Sequence, residues 1–275
     1  MLKPTRIWKK MLMLSDLIKN HASVRSFVSG KKIPETDVRA IITSAQKASS
    51  SYNLQLYSIL SITDLDLRKR IAELAGRQQF IAEASLFLIF CADLYRMQLA
   101  CEAAGYDFYQ SRYFESTLMA IIDTALAGQN AALEAESRGY GICFIGAVRN
   151  YAEKIRQLLD LPERVFPVFG LCIGYAVERN APKPRLPLEG VFFENGYDRE
   201  TAFTAVQSYN RTMAESGIYR NRHFPDDDCE RKSPKSEHEE YGWIEHSSRR
   251  ISTRRPDKVR KDLKKQMLDA GFGFE

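Results

Sequence analysis

The chain has 275 residues, 44% hydrophobic and 27% charged. That balance is globular and excludes disordered, collagen-like or low-complexity architecture over most of the length. Lys and Arg outnumber Asp and Glu by 40 to 35, but nine basic residues stand against two acids between Ser247 and Lys265. The positive excess therefore belongs to one C-terminal segment and not to a broad nucleic-acid face.

In chain order, Ser15 to His21 reads as the end of a first helix. Thr36 to Ser49 is a second, with Val38, Ile41, Ile42 and Ala45 on one face and Pro34 near its start. Ser58 to Thr63 reads as a strand. Asp66 to Ala75 is a helix stopped by Gly76. Leu86 to Ala92 is a fully buried strand. Ser116 to Arg138 is a long helix, apolar nearly all round, as a helix buried on most sides is. Gly141 to Ile145 is a strand, and Asn150 caps a short helix ending near Leu159. Val165 to Gly174 is a strand in which Pro167 argues for an edge or a strand start. A Pro-punctuated loop from Tyr175 to Glu194 follows. Then come a helix from Thr201 to Ser216, a polar surface stretch from His223 to Glu240, and a last helix from Pro256 to Ala270.

Several function classes lack their signals. No apolar run reaches the roughly 18 residues that span a membrane. The N-terminus has no apolar block with a small-residue cleavage site, so no secretory signal is expected. The five cysteines are scattered without a CxxC pair, which points to a reducing, cytoplasmic setting. The histidines lack ligand spacing, so no metal site is expected. Gly139, Gly141 and Gly146 follow a helix and open a strand, the reverse of a dinucleotide fingerprint.

Three clusters of donors stand out. His21-Ala22-Ser23-Val24-Arg25-Ser26-Phe27 places an imidazole, two hydroxyls and a guanidinium in seven residues, donors suited to a phosphate and a polar ring edge. Ser49-Ser50-Ser51-Tyr52-Asn53 is a second. Lys183 and Arg185, held two apart by Pro184 in a stiff loop, are the third. Taken singly, each reads more readily as a solvated turn or a surface loop than as a ligand site.

Together they carry a resemblance. His21-x-Ser23-x-Arg25-Ser26-Phe27, Ser49 to Ser51, Ala75-Gly76-x-Gln78, Phe90-Cys91-Ala92-Asp93, Asp123 to Ala131, Ala135-Glu136-Ser137-x-Gly139-x-Gly141, Ile145-Gly146-x-x-Arg149-Asn150, Phe169-Gly170-Leu171-Cys172-x-Gly174 and Lys183 to Pro187 occur in this order. The set, from about Ser15 to Tyr197, resembles the FMN-dependent nitroreductase family, in the branch of the oxygen-insensitive major nitroreductase and flavin reductase P. Pro256 to Phe272 resembles the family's last helix. The resemblance implies an α+β fold with a central, mostly antiparallel sheet among helices. It implies one domain over residues 1–275, with residues 198–275 as a helical arm embracing the partner of a homodimer. It also implies two interface FMN sites and ping-pong hydride transfer from NADPH or NADH to nitroaromatics, quinones or free flavin.

Residue by residue, the resemblance assigns His21, Ser23, Lys183 and Arg185 to the FMN phosphate. Arg25 and Gln78 go to the pyrimidine edge of the ring, and Ile145, Gly146 and Ala147 to backbone contacts near N5 and O4. Ser49, Ser50, Ser51, Tyr52 and Asn53 would come from the other subunit. Arg220 would meet the phosphate end of the nicotinamide nucleotide, with Arg222 near it and Asp226, Asp227 and Asp228 opposing that phosphate. Departures from the family pattern are Ala22 for arginine, Phe144 for tyrosine, Ala147 for glycine and Asn53 for an apolar residue. A start at Met11 would give His21 its usual distance from the terminus. Two other classes stay open: a flavin-binding relative that dehalogenates a substrate or dismantles a flavin, and a binding module using Arg249 to Lys265 on nucleic acid or anionic lipid. The basic segment reads more readily as a solvated helix face and an attractor for cofactor phosphate.

Overall fold

The computed structural model describes residues 14–221, 223–225, 229, 241–255 and 259–275. The expectations for Arg222, for Asp226 to Asp228, for most of the stretch to Glu240 and for the residues before Met11 lie outside them. The described residues form two compact units. The first extends to Pro182 and takes in Asp262–Glu275; the second is Lys183–Lys261.

Residues 14–19 end helix α1. Helices α2 (Glu35–Ala45), α3 (Leu65–Leu74), α4 (Phe80–Glu83), α5 (Tyr95–Ala104), α6 (Phe114–Ser137) and α7 (Ala152–Leu158) interleave with strands β1 (Tyr57–Ser61), β2 (Leu86–Asp93), β3 (Gly141–Ile145) and β4 (Val165–Gly174). The sheet order is β1-β2-β4-β3, and every pairing is antiparallel. This is the expected α+β architecture. β2 is buried along its whole length because both faces of the sheet are covered. Leu86, Leu88 and Phe90 face α2 and α6, while Phe87, Ile89 and Cys91 face the side of α3, α4 and α7. Period-2 alternation between two apolar layers reads in sequence as one unbroken apolar run.

The elements correct the sequence reading in several places. The second helix stops at Ala45, and Ser51–Asn53 forms a separate 3-10 turn. Asn150 is not a helix cap: Gly146–Tyr151 winds as a 3-10 helix, and α7 begins after Tyr151. β4 is an interior strand, yet β3 pairs with it only from Gly170 to Gly174. At Pro167 it is therefore flanked by β2 alone among the described residues, at a register shift between Phe90 and Cys91. The missing N–H of proline costs no β3–β4 ladder bond there. Helices α4 and α5 were not expected.

The last helix is shorter than expected. Val259 and Arg260 are not helical, and α10 is Leu263–Asp269. Its Met267, with Ala270 and Phe272 behind it, joins the first unit's core beside Met119, Ala120 and Phe166. In the second unit, α8 (Arg199–Glu215) is capped by Asp198, whose carboxylate accepts from the N–H groups of Glu200 and Thr201. α9 (Trp243–Ser252), also unexpected, packs on α8 through Trp243, edge-on to Tyr209 at 5.3 Å. No helix among the described residues is long and apolar enough to cross a membrane.

Candidate functional site

The His21–Phe27 segment lies along the edge of β3 that β4 leaves open. Val24 donates its N–H to Ile142 O at 2.8 Å, and Phe27 bridges to Ala176. Val24 and Phe27 are buried while Arg25 is exposed, so two apolar anchors hold a cation outward between them. The approach depends on Gly141: a Cβ there would lie 2.7 Å from Val24 Cγ2. Asn180 donates to Ser23 O at 3.0 Å and fixes the other arm of the segment. His21 Nδ1 sits 2.7 Å from Glu136 Oε1 on α6. A carboxylate only accepts, so Nδ1 is the donor and the ring is oriented by that bond.

Arg25 acts on β3 electrostatically. Burial pushes the Cys143 thiol up, and the Arg25 guanidinium pulls it part of the way back. β3 ends at Ile145, 1% exposed, and Gly146 opens the 3-10 helix. Its first N–H groups precede any intrahelical acceptor, which makes them donors for an outside group. A Cβ on Gly146 would press on Arg149 Nη2 at 3.3 Å. Arg149 donates to Val168 O and ties the turn to β4. The loop carrying Gln78 meets this turn. Gly76, at φ +81°, is 3.7 Å (from its Cβ position) from Asn150 Nδ2, and Gln78 Nε2 donates back to Ala75 O at 2.6 Å. Arg25 therefore lies beside β3, and the loop of Gly76 to Gln78 lies beside the turn that follows β3.

Ser49 to Asn53 is held elsewhere on α6. Asp123, fully buried, accepts from Ser51 N–H at 2.8 Å, Ser51 Oγ at 3.1 Å and Leu56 N–H at 3.1 Å. Tyr52 is 87% exposed at the loop's tip. Thirteen residues separate Asp123 from Glu136 on one helix, a rise of about 20 Å. The His21 segment and the Ser51 loop are thus anchored far apart within one chain.

Lys183, Arg185 and Arg220 belong to the second unit and are exposed. Arg185 Nη1 folds back onto Lys183 O at 3.1 Å, and Tyr209 on α8 donates to Pro184 O at 3.0 Å, which steadies the loop. Arg220 follows the Gly217 turn, its N–H donated to Gly217 O. Sequence reasoning missed the roles of Asp123 and Glu136. Both lay inside quoted motifs, and an acid on the buried side of an Ala-rich helix was the available signal. Among the described residues no group of three metal-ligating side chains occurs.

The donor set suits a flavin mononucleotide: a cation beside β3, backbone N–H groups at the turn that follows it, an amide on the loop against that turn, and an oriented imidazole two residues from a serine. Comparison with known proteins agrees. The model of the nitroreductase family matches residues 18–175, and that of the nitroreductase family's C-terminal domain matches residues 183–275. The chain belongs to the nitroreductase family. It is 39% identical over 210 residues to a Cr(VI) reductase of Pseudomonas sp. (strain G-1), covering 76% of this chain and 85% of that one. It is 37% identical over 212 residues to an FMN reductase (NADPH) of Bacillus subtilis, covering 75% and 83%. The solved structure of B. megaterium NfrA2 superposes with a TM-score of 0.83 at 32% identity, covering 95% of this chain and 98% of that one.

Proposed function

We infer that the protein is an NAD(P)H-dependent oxidoreductase that uses FMN to reduce nitroaromatics, quinones or free flavin, and that it works as a cytoplasmic homodimer. The observation that carries the reading is the Arg25 segment laid along β3, with the Gly76 loop against the turn that follows that strand, in a chain of this family. FMN, when bound, supplies the redox chemistry itself. The protein's part is placement and charge. Arg25 sets a fixed cation at the pyrimidine edge of the ring, where it favours added negative charge. Gln78 orients the same edge, and the N–H groups of Gly146 and Ala147 meet the opposite side. His21 and Ser23 take the phosphate, and the family resemblance assigns Lys183 and Arg185 to it as well. Arg220 is assigned to the nucleotide donor.

The dimer reading rests on α6. Phe114, Leu118, Ile122 and Leu126 recur every four residues and are 44%, 38%, 44% and 42% exposed. An exposed apolar stripe of this kind on a helix marks an interaction surface. The wide spacing of the two anchor points on α6 fits a loop, Ser49 to Asn53, that serves the partner's flavin. The embrace of that partner is assigned to residues 198–261 and not to the whole of 198–275, because Asp262–Glu275 pack with the chain's own first unit. The buried, unpaired Cys91, Cys143 and Cys172 suit a reducing cytoplasm.

Steady-state rates with NADPH and NADH, each against FMN, nitrofurazone and a quinone, test the reading. Turnover with several acceptors, by a yellow protein of about twice 31.5 kDa in native mass measurement, is the expected result. A colourless protein that reduces none of them and shifts DNA on a gel would favour the binding module.

A further inference from the structure

We propose that Asp123 is a positioning residue of the flavin site, holding the Ser51–Leu56 loop in the one shape that presents Tyr52 and Asn53 outward. The proposal rests on the assignment of that loop to FMN. The carboxylate is fully buried and each oxygen is used: Oδ1 takes Ser51 N–H and Oγ–H, Oδ2 takes Leu56 N–H. It therefore grips both ends of a six-residue loop from one point on α6.

The loop needs such a grip. Tyr52, Asn53 and Gln55 have φ of +49°, +58° and +54°, a left-handed region unfavourable for residues with a Cβ. Three such residues within four positions do not persist unless their surroundings impose them. No glycine relieves the loop; Tyr52 and Asn53 are exposed, so packing does not hold these two, and Leu54 between them and Gln55 packs on the core. The Asp123 bonds hold the loop at both ends, and Arg96, which donates to Gln55 O at 2.5 Å and to Ser58 Oγ at 3.3 Å, steadies the downstream arm.

The same geometry refines the donor inventory. Ser51's hydroxyl proton is committed to Asp123. Ser50 Oγ accepts from Gln55 N–H at 3.3 Å, which leaves its own O–H as a donor. Ser50, Tyr52 and Asn53 are then the groups this loop offers to a ligand, and Ser51 is a fastener.

Asp123→Asn is the discriminating change. It keeps size and shape but turns one acceptor into an NH2 donor, which then faces an N–H group of Ser51 or Leu56. The test combines FMN titration, hydrogen exchange of the peptide spanning residues 50–57, thermal melting and native mass. The expected result is a dimer with sheet exchange unchanged, faster exchange in that peptide, and FMN affinity weakened by about tenfold, the scale of a lost hydrogen bond to a charged group. Ser51→Ala removes one of the three bonds and should weaken FMN by about threefold. Should Asp123→Asn not fold, Ser51→Ala decides by itself. Unchanged FMN affinity in the variants, or exchange raised uniformly through β2 and α6, overturns the proposal. Wild-type protein that fails to bind FMN overturns the functional reading itself, and that failure shows before any variant is made.

Discussion

Gly141→Ala puts a methyl group where Val24 already sits. The new Cβ would lie 2.7 Å from Val24 Cγ2, 2.9 Å from its Cβ and 3.1 Å from its Cγ1. Val24 cannot retreat freely: its side chain is 4% exposed and its N–H is committed to Ile142 O. Overpacking of this kind costs about 1–3 kcal/mol, equivalent to a fall in Tm of roughly 2–4 °C per kcal/mol for a domain of this size. Relief is available only by lifting the His21–Phe27 segment off β3, which moves Ser23 and Arg25 with it. FMN affinity should fall along with stability. Val24→Ala alone should cost about 2 kcal/mol through lost burial. Combined with Gly141→Ala it should cost less than the sum, because the two Cγ methyls at 2.7 and 3.1 Å are gone while only the Cβ contact at 2.9 Å remains. Urea unfolding of the four proteins, with FMN titrations alongside, measures this. An unchanged urea midpoint for Gly141→Ala, or strict additivity in the double variant, would refute the close packing of the segment on β3.

Three further outcomes follow from the site. Arg25→Ala should lower the flavin midpoint potential by roughly 20–40 mV, the equivalent of about 1–2 kcal/mol for a two-electron couple, while FMN affinity changes less; spectroelectrochemistry reads this, and an unchanged potential removes Arg25 from the ring edge. The double variant Lys183→Ala, Arg185→Ala should lose FMN affinity but keep the weak affinity for riboflavin, which has no phosphate, and a parallel loss of both ligands in fluorescence titrations would rule out a phosphate clamp. Hydrogen bonds from Thr201 and Glu200 hold the Asp198 carboxyl below the usual range. Its capping contribution is then present above the unfolded pKa near ~3.9 and lost as pH falls through the lower folded value. Hydrogen exchange in the first turn of α8 should rise in that acid window, and Asp198→Asn, an equal cap without a charge, should abolish the rise.

The sheet was the legible part of the fold. β3 and β4 were read with the limits they have, because apolar runs bounded by glycine leave little choice. α5 was missed for a physical reason: no residue of Tyr95–Ala104 is buried, so no apolar face disciplines its sequence. α9 was hidden by its neighbourhood, a short helix between polar stretches whose packing partner, Tyr209, lies 34 residues back. Asn150 looked like a cap because capping residues are recognised by type. The turn before it is instead held in 3-10 form by Arg149 reaching Val168 O, a tertiary contact with no local signature. In the candidate site, ordered motifs pointed to the donors themselves. The groups that hold them, Asp123 under Ser51 and Glu136 under His21, stand 72 and 115 residues away in sequence, and only the fold joins them.

The most direct test of the account is an anaerobic titration of the FMN-loaded protein with NADPH, followed by a quinone. The account predicts that about one equivalent of NADPH, the stoichiometry of a two-electron cofactor, bleaches the flavin's visible absorbance, and that the quinone restores it without further nucleotide. A protein that takes up no FMN, or whose flavin keeps its colour under both NADPH and NADH, would contradict it.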